Sequence, residues 1–274
     1  MRLDEWLQSA SARLEQVGIE SARLESQVLA GHVLGVDRAW ILAHGNSEAP
    51  ELPLESVLAR RLSREPLAYI VGSREFYGRP FHVRKGVLIP RQETETLVDA
   101  VLEHPGPAHV LEIGVGSGCI SLTLKLERPD WTVVGGDISI DALAIADSNR
   151  ETLGADVLLV NSDCCNGFAD HAFDIVVTNP PYVSTSDPLA PEIKDFEPPL
   201  ALYADKDGLA FYERLSLDVL RVLKPGGTLL MELGAGQAAA VVKLFLDAGW
   251  RDPKIWKDLS GIDRVLSVAI CDLR

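Results

Sequence analysis

The sequence predicts an α/β protein built on a mostly parallel, doubly wound sheet and preceded by a small N-terminal helical bundle. Three observations carry this. Residues 1–75 repeat apolar side chains at steps of three and four, as helices do. From residue 91 onward the pattern becomes strand, turn, helix, repeated, which parallel sheets with helices on both faces require. The chain of 274 residues is 47% apolar, enough to bury a core for one large domain or two modest ones.

In the first part, "WLQSASARLEQVGI" and "ARLESQVLAGHVLGV" carry the helical period, with Gly18, Gly35 and Gly45 as helix stops and a further helix from Leu54 to Leu62. His32 and His44 have no companions there and read as ordinary helix residues. Residues 76–90, "FYGRPFHVRKGVLIP", alternate aromatic or β-branched residues with polar ones and predict a β-hairpin linker. A helix follows from Gln92. Then "HVLEIG", "WTVVGGD", "DVLLVNSD", "FDIVVTN" and "GTLLMEL" read as strands, with two late strands around "PKIWKD" and "RVLSVAI". The helices between them are "CISLTLKLE", "SIDALAIADSNRETLG", one from about Leu209, and "GQAAAVVKLFLDAG".

Bulk properties narrow the function classes. No segment reaches the roughly 18 apolar residues of a membrane helix, and the acidic N-terminus reads as an amphipathic helix, with neither the apolar core of a signal peptide nor the acid-poor character of a transit peptide. Cys119, Cys164, Cys165 and Cys271 lack metal-ligand spacing, so a reduced, cytoplasmic protein without a metal is expected. A formal charge of −14 argues against a nucleic-acid partner, since that affinity comes from neutralising phosphates. The sign flips locally between Arg60 and Arg91, either as an internally paired surface or as a dock for an acidic partner.

The chemistry gathers at strand ends, where such sheets bind ligands. "LEIGVGSGC" sets Gly114, Gly116 and Gly118, with Val115 and Ser117 between them, directly after the first strand of the second part. The spacing is not the G-x-G-x-x-G that seats a pyrophosphate, and Glu112 just before it suits a ligand bearing an ammonium group. Asp137 ends the next strand, where a carboxylate can accept from both hydroxyls of a ribose. Asp163 closes the third and could receive the amine of an adenine. Each acid alone reads as a cap or loop residue. Together, after a glycine turn, they describe an adenosine without phosphate and point to S-adenosylmethionine.

After the fourth strand comes Asn179-Pro180-Pro181-Tyr182. The prolines fix φ and remove two backbone donors, so the loop presents acceptors. The Asn179 side-chain carbonyl and the Pro180 backbone carbonyl suit the two donors of a planar –NH2 group, and Tyr182 offers a flat face to pack on it. Such a grip orients a delocalised nitrogen lone pair toward a methyl electrophile without needing a strong base.

The chain resembles the HemK family, the glutamine methyltransferases of peptide chain release factors, through "REPLAYIVGSREFYG", "VLIPRQETETLV", "LEIGVGSGCI", "VVTNPPYV", "FEPPLALYADKDGL" and "DLSGIDRVLSV". The resemblance implies a Rossmann-like class I methyltransferase domain over 91–274, and a domain over 1–75 that helps dock the release factor. It implies methylation of the side-chain nitrogen of the glutamine in that factor's Gly-Gly-Gln loop; a monomer is expected. Carried over, Gly114–Gly118 and Asp137 hold the cofactor, Cys164 lies at an adenine-side position, and Asn179 to Tyr182 hold both cofactor and substrate. Arg91 and Thr94 fall in the segment that reaches over the cofactor's methionine end. Departures are Gln92 for the family's usual proline, "ADKDG" for a more glycine-rich run, and Cys164 where an aromatic ring often stacks on the adenine. Competing readings are a glutamine methyltransferase of a ribosomal protein, an adenine amino-methyltransferase on nucleic acid, and a non-catalytic cofactor-binding module.

Overall fold

The computed structural model describes residues 1–270, so Cys271 lies outside the described residues. These residues group into two compact units, one of 1–73 with 189–196 and one of 74–188 with the described residues from 197 on.

The first unit packs α1 (Leu3–Gln16), α2 (Ala22–Leu34), α3 (Arg38–Ala43), α4 (Glu51–Leu62) and α5 (Leu67–Val71). Leu3, Trp6, Ala10 and Leu14 form the buried stripe of α1, as the three-and-four spacing requires. Gly35, at φ +66°, ends α2 in the left-handed conformation, and the Asp37 carboxylate caps α3 by accepting from the Trp40 N–H at 2.7 Å. α4 begins three residues before the predicted Leu54, because Pro50 is its N-cap and Glu51 fits the first turn. The unit also holds the single turn Pro191–Lys194. There Glu192 receives Arg61 at 3.2 Å and Arg64 at 2.8 Å, while Arg61 also pairs with Glu25 at 2.5 Å. With Arg60 on Glu65 as well, these arginines of the basic stretch are internally paired.

The second unit opens with the hairpin β1 (Ser73–Phe76) and β2 (Arg79–His82) and continues with α6 (Glu95–Leu102). It then runs β3 (His109–Ile113), α7 (Cys119–Glu127), β4 (Thr132–Asp137), α8 (Ile140–Leu153), β5 (Val157–Asn161) and β6 (Phe173–Thr178). It closes with α9 (Ala210–Val222), β7 (Leu223–Glu232), α10 (Ala238–Asp247), β8 (Arg251–Lys257) and β9 (Asp263–Ala269). The seven-stranded sheet has the order β5-β4-β3-β6-β7-β9-β8. Strands β5 to β7 in that order run parallel, and β9 and β8 are antiparallel additions, so the sheet is mostly parallel as predicted.

Strand side chains alternate between two apolar layers, as a sheet covered on both faces demands. Val176 faces a core with Tyr212, Val219, Phe245 and Trp250 of the α9–α10 side. Ile175 and Val177 face the opposite core with Leu97, Val101 and Leu122 of α6 and α7, where Phe76 and Phe81 of the hairpin also pack. β7 starts four residues before the predicted Gly227, since Leu223 pairs with Phe173 across a register shift that absorbs Gly226 and Gly227. Pro253 is tolerated in β8 because that strand is the exposed edge and its register shifts there.

Trp250 is among the largest fully buried side chains, packs edge-on against Phe245, and donates its indole N–H to the Ser216 carbonyl at 2.9 Å. Trp250→Ala is therefore expected to destabilise this unit by about 3–5 kcal/mol, chiefly through the cavity, with the lost indole hydrogen bond adding to it. Urea unfolding checks it, and a loss below about 1 kcal/mol would show that the core collapses around the gap.

Candidate active site

Parallel register puts the predicted residues in one row. Gly136 of β4 pairs with Ile113 of β3, Ile113 with Thr178 of β6, and Thr178 with Met231 of β7. The next residue on each strand is Asp137, Gly114, Asn179 and Glu232. The chain travels outward from β3 through β4 to β5, then crosses back to β6, so β3 and β6 flank the point where strand order reverses. Such a switch point leaves a crevice at the carboxyl ends of the strands. The Thr178 hydroxyl donates to the Ile113 carbonyl at 2.8 Å and locks the two central strands together there.

The turn after β3 needs its glycines. Gly114, Gly116 and Gly118 have φ of +77°, +53° and +83°, where a side chain is strained. A Cβ on Gly118 would meet Leu122 Cδ1 at 2.9 Å, whereas beside Gly114 the space is open, as a ligand cradle requires. The Gly114 and Val115 N–H groups both donate to the Gly136 carbonyl, at 2.8 and 3.0 Å, and the Ser117 carbonyl accepts from Asn149 at 2.8 Å. Asp137 accepts from the Gly116 N–H at 2.9 Å and the Ser139 N–H at 2.9 Å, which orients its carboxylate along the turn. Burial raises its pKa against those bonds.

Glu112 is buried and its Oε2 accepts from both the N–H and the hydroxyl of Ser121 in α7. Burial pushes its carboxyl up to about 8, so a cation brought to it would favour ionisation. Ser162, beyond β5, has a buried hydroxyl without a partner, and a Cβ on Gly136 would lie 2.5 Å from it. Asp163 is half-exposed and its Oδ1 is held by Arg214 of α9 at 2.6 Å, which lowers its pKa. Cys164 is buried in the α9-side core, with φ +53° and its Sγ 3.9 Å from that of Cys165. Asp163 and Cys164 follow the end of β5, whose Asn161 pairs with Asp137, and each already has a partner of its own.

The Asn179–Tyr182 loop is clamped by Thr94, already singled out in the sequence, and by Glu232 and Gln237, which were not. The Asn179 amide donates from Nδ2 to Thr94 Oγ1 at 3.2 Å, and Thr94 donates to Glu232 Oε2 at 2.6 Å. The Tyr182 phenol donates to the other oxygen, Glu232 Oε1, at 3.0 Å. Glu232 is 1% exposed, and burial raises its pKa against the two hydroxyls and the charge of Arg264. The Tyr182 carbonyl accepts from Gln237 at 3.0 Å, and the ring lies where a Cβ on Gly234 would come within 3.0 Å. A Cβ on Gly208 would fall 2.1 Å from the same carbonyl, so "ADKDG" retains the glycine that this loop needs. A second buried acid, Glu197 of "FEPPLAL", accepts from the Ile89 N–H at 3.0 Å and from Arg91 at 2.5 Å. Residues 89–94 are therefore held by Glu197 at one end and Glu232 at the other. An acid inside the apolar run "GTLLMEL" was the sequence signal for Glu232.

Such a row can cradle a nucleoside on glycine backbone and a carboxylate, hold a cation near buried acids, and grip a planar amine. Among the described residues no group of His, Cys, Asp and Glu could hold a metal ion, and no helix is long and apolar enough to cross a membrane.

Comparison with known proteins finds two family-model matches and several relatives. Residues 5–72 match the family model "PrmC N-terminal domain" and residues 92–192 match "Methyltransferase small domain". The chain is 42% identical over 261 residues to a release factor glutamine methyltransferase of Geobacter sulfurreducens, covering 92% of this chain and 91% of that protein. It is 40% identical over 269 residues to the corresponding Caulobacter vibrioides protein, covering 94% and 93%. A methyltransferase structure from Pyrococcus furiosus shares the fold, at a TM-score of 0.56 and 17% identity over 79% of this chain and 99% of that one.

The buried Glu112 predicts a pH signature. Its folded pKa of about 8 lies above the ordinary 4.5, so the folded form retains a proton that the unfolded chain has released. Stability then falls as pH rises through that window. Glu112→Gln removes the effect, so its Tm relative to the parent should be higher by about several °C near pH ~8 and by much less near pH ~5. An equal offset at both pH values would refute this origin.

Proposed function

We propose that the chain, which belongs to the release factor glutamine methyltransferase family, methylates the side-chain amide nitrogen of the glutamine in the Gly-Gly-Gln loop of a peptide chain release factor, with S-adenosylmethionine as donor. The observation that carries the reading is the orientation of Asn179. Its Nδ2 is committed to Thr94, so Oδ1 is the end left for a ligand, and an amide oxygen beside donor-free prolines suits an N–H donor.

The residues at the strand ends fit the cofactor. The open space beside Gly114 admits close approach of a ligand, Asp137 can accept from a ribose, and the unpartnered Ser162 hydroxyl is a polar atom in need of a bond. The raised pKa values of Glu112 and Asp137 call for positive charge, which the ammonium and sulfonium of this cofactor carry. When bound, it supplies an electrophilic methyl group. On this reading Glu112, Gly114, Val115, Gly116, Ser117, Gly118, Asp137, Asp163, Cys164 and Asn179 make its site.

The protein's part in the chemistry is to hold the acceptor. An amide nitrogen is a poor nucleophile because its lone pair is delocalised into the carbonyl. Asn179 Oδ1 and the Pro180 carbonyl would bind its two N–H bonds, turning the lone pair out of conjugation and toward the donor side. Pro181 stiffens that pair, and Tyr182 covers the planar group. The same two oxygens hold the proton that the alkylated nitrogen must lose before water removes it. Catalysis then rests on positioning and preorganised dipoles.

In this assignment residues 1–75 dock the release factor, 76–90 form the hairpin linker and 91–274 form the methyltransferase domain. The enzyme works as a cytoplasmic monomer on a protein, and a charge of −14 supports that over nucleic acid.

Labelled S-adenosylmethionine should transfer label to a release factor, and not to the same factor with its loop glutamine changed to alanine. Label in both, or in neither while cofactor still binds, would redirect the search to ribosomal proteins and nucleic acid. Asn179→Ala should lower kcat on the order of a hundredfold while changing cofactor affinity far less. Equal loss of both would make Asn179 chiefly a cofactor residue.

A further inference from the structure

The geometry points to Glu232 as the residue that makes this site an acceptor-only site, and thereby selects an amide –NH2 over a carboxylate as the group admitted beside Asn179. The inference rests on the glutamine reading above and adds to it what enforces the choice.

A hydroxyl has one proton. Thr94 gives its proton to Glu232 Oε2 at 2.6 Å, so toward Asn179 its oxygen can only accept. It accepts from Nδ2 at 3.2 Å, and the planar amide must then turn Oδ1 to the opposite side. Without that constraint an asparagine amide can flip, exchanging an acceptor for two donors with almost no change in shape. Tyr182 obeys the same logic. Its phenol proton lies on Glu232 Oε1 at 3.0 Å, so toward any other group its oxygen offers only lone pairs. One carboxylate, with a hydroxyl donor on each oxygen, thus dictates the polarity of both polar side chains in the loop.

The setting keeps Glu232 in that role. It ends β7 beside β9, whose Arg264 supplies the opposing charge; the Thr94 and Tyr182 hydroxyls also favour the carboxylate, while burial and Glu93 oppose ionisation. Arg264 itself is anchored on Asp258 at 3.0 Å and on the Leu233 carbonyl at 3.0 Å. A glutamine at 232 would offer donors of its own and allow Thr94 to donate to Asn179 Oδ1, presenting the amide –NH2 to the ligand instead. A site of that polarity favours a carboxylate. Glu232 and Thr94 are positioning residues here, since both act through Asn179.

The test uses the full-length protein with release factor bearing glutamine or glutamate in its Gly-Gly-Gln loop. Transfer is measured to the glutamine form, the glutamate form serves as competitive inhibitor, and cofactor affinity is measured separately. The parent should methylate the glutamine form and be inhibited poorly by the glutamate form. Glu232→Gln and Thr94→Val should each lower kcat and shift the glutamine-to-glutamate preference toward glutamate by roughly tenfold or more, with cofactor affinity little changed. Thr94→Ser keeps the hydroxyl and should keep the preference. The double variant should be no worse than either single one, because the groups act in series. If Glu232→Gln does not fold, the Thr94→Val and Thr94→Ser pair carries the test alone. Parallel loss of both affinities, or Thr94→Ser behaving as Thr94→Val, would overturn the relay while leaving the glutamine reading intact. Failure of the parent to methylate the glutamine form would overturn that reading and the relay with it.

Discussion

A carboxylate buried at the end of β7 organises the proposed active site. Burying Glu232 at 1% exposure carries a desolvation penalty that only full hydrogen bonding and a nearby cation can offset. Thr94, Tyr182 and Arg264 do so, and in doing so they bring together the segment before α6, the loop after β6 and strand β9. These pieces are far apart in sequence. The acid adds side-chain links to those the β6–β7–β9 ladders already make and brings in the segment before α6, which no ladder holds. Glu197 holds the other end of residues 89–94.

Electrostatics in the crevice is one-sided. Glu112, Asp137 and Glu232 sit along neighbouring strand ends, and burial raises the pKa of each. Only Glu232 has an arginine to answer it. The other two are held by backbone N–H groups and a serine, which stabilise a carboxylate without supplying charge. A cationic ligand completes such a site, and the formal charge of −14 extends the same field over the surface.

Much of this was legible from the sequence because the signals are local. Gly114, Gly116 and Gly118 announce a left-handed turn, alternating apolar runs announce β3 to β7, and Asn179-Pro180-Pro181-Tyr182 announces an acceptor loop within four residues. What was hidden is what depends on long-range pairing. Glu232 meets Thr94 across 138 residues, Glu197 meets Arg91 across 106, and Gln237 meets the Tyr182 carbonyl across 55. Asp163 was legible as a strand-end acid, but Arg214 beside it was not, since that arginine is brought back by the packing of α9. The basic stretch illustrates the same limit. Arg61, Arg64, Arg79 and Arg91 look unpaired in sequence and each meets a distant acid in the fold.

The path of residues 189–196 bears on how this protein can be recombined. The helical unit is completed by Glu192, a residue encoded far downstream, on which Arg61 and Arg64 converge. A gene break at the obvious boundary near residue 73 would sever that acid from its two arginines and leave Arg61, 5% exposed, with Glu25 as its remaining carboxylate partner. The halves are thus not interchangeable cassettes. Swapping the helical part between relatives brings along a sequence requirement at position 192, inside the partner half's own reading frame, and domain shuffling that ignores it would carry a buried-charge penalty from the start.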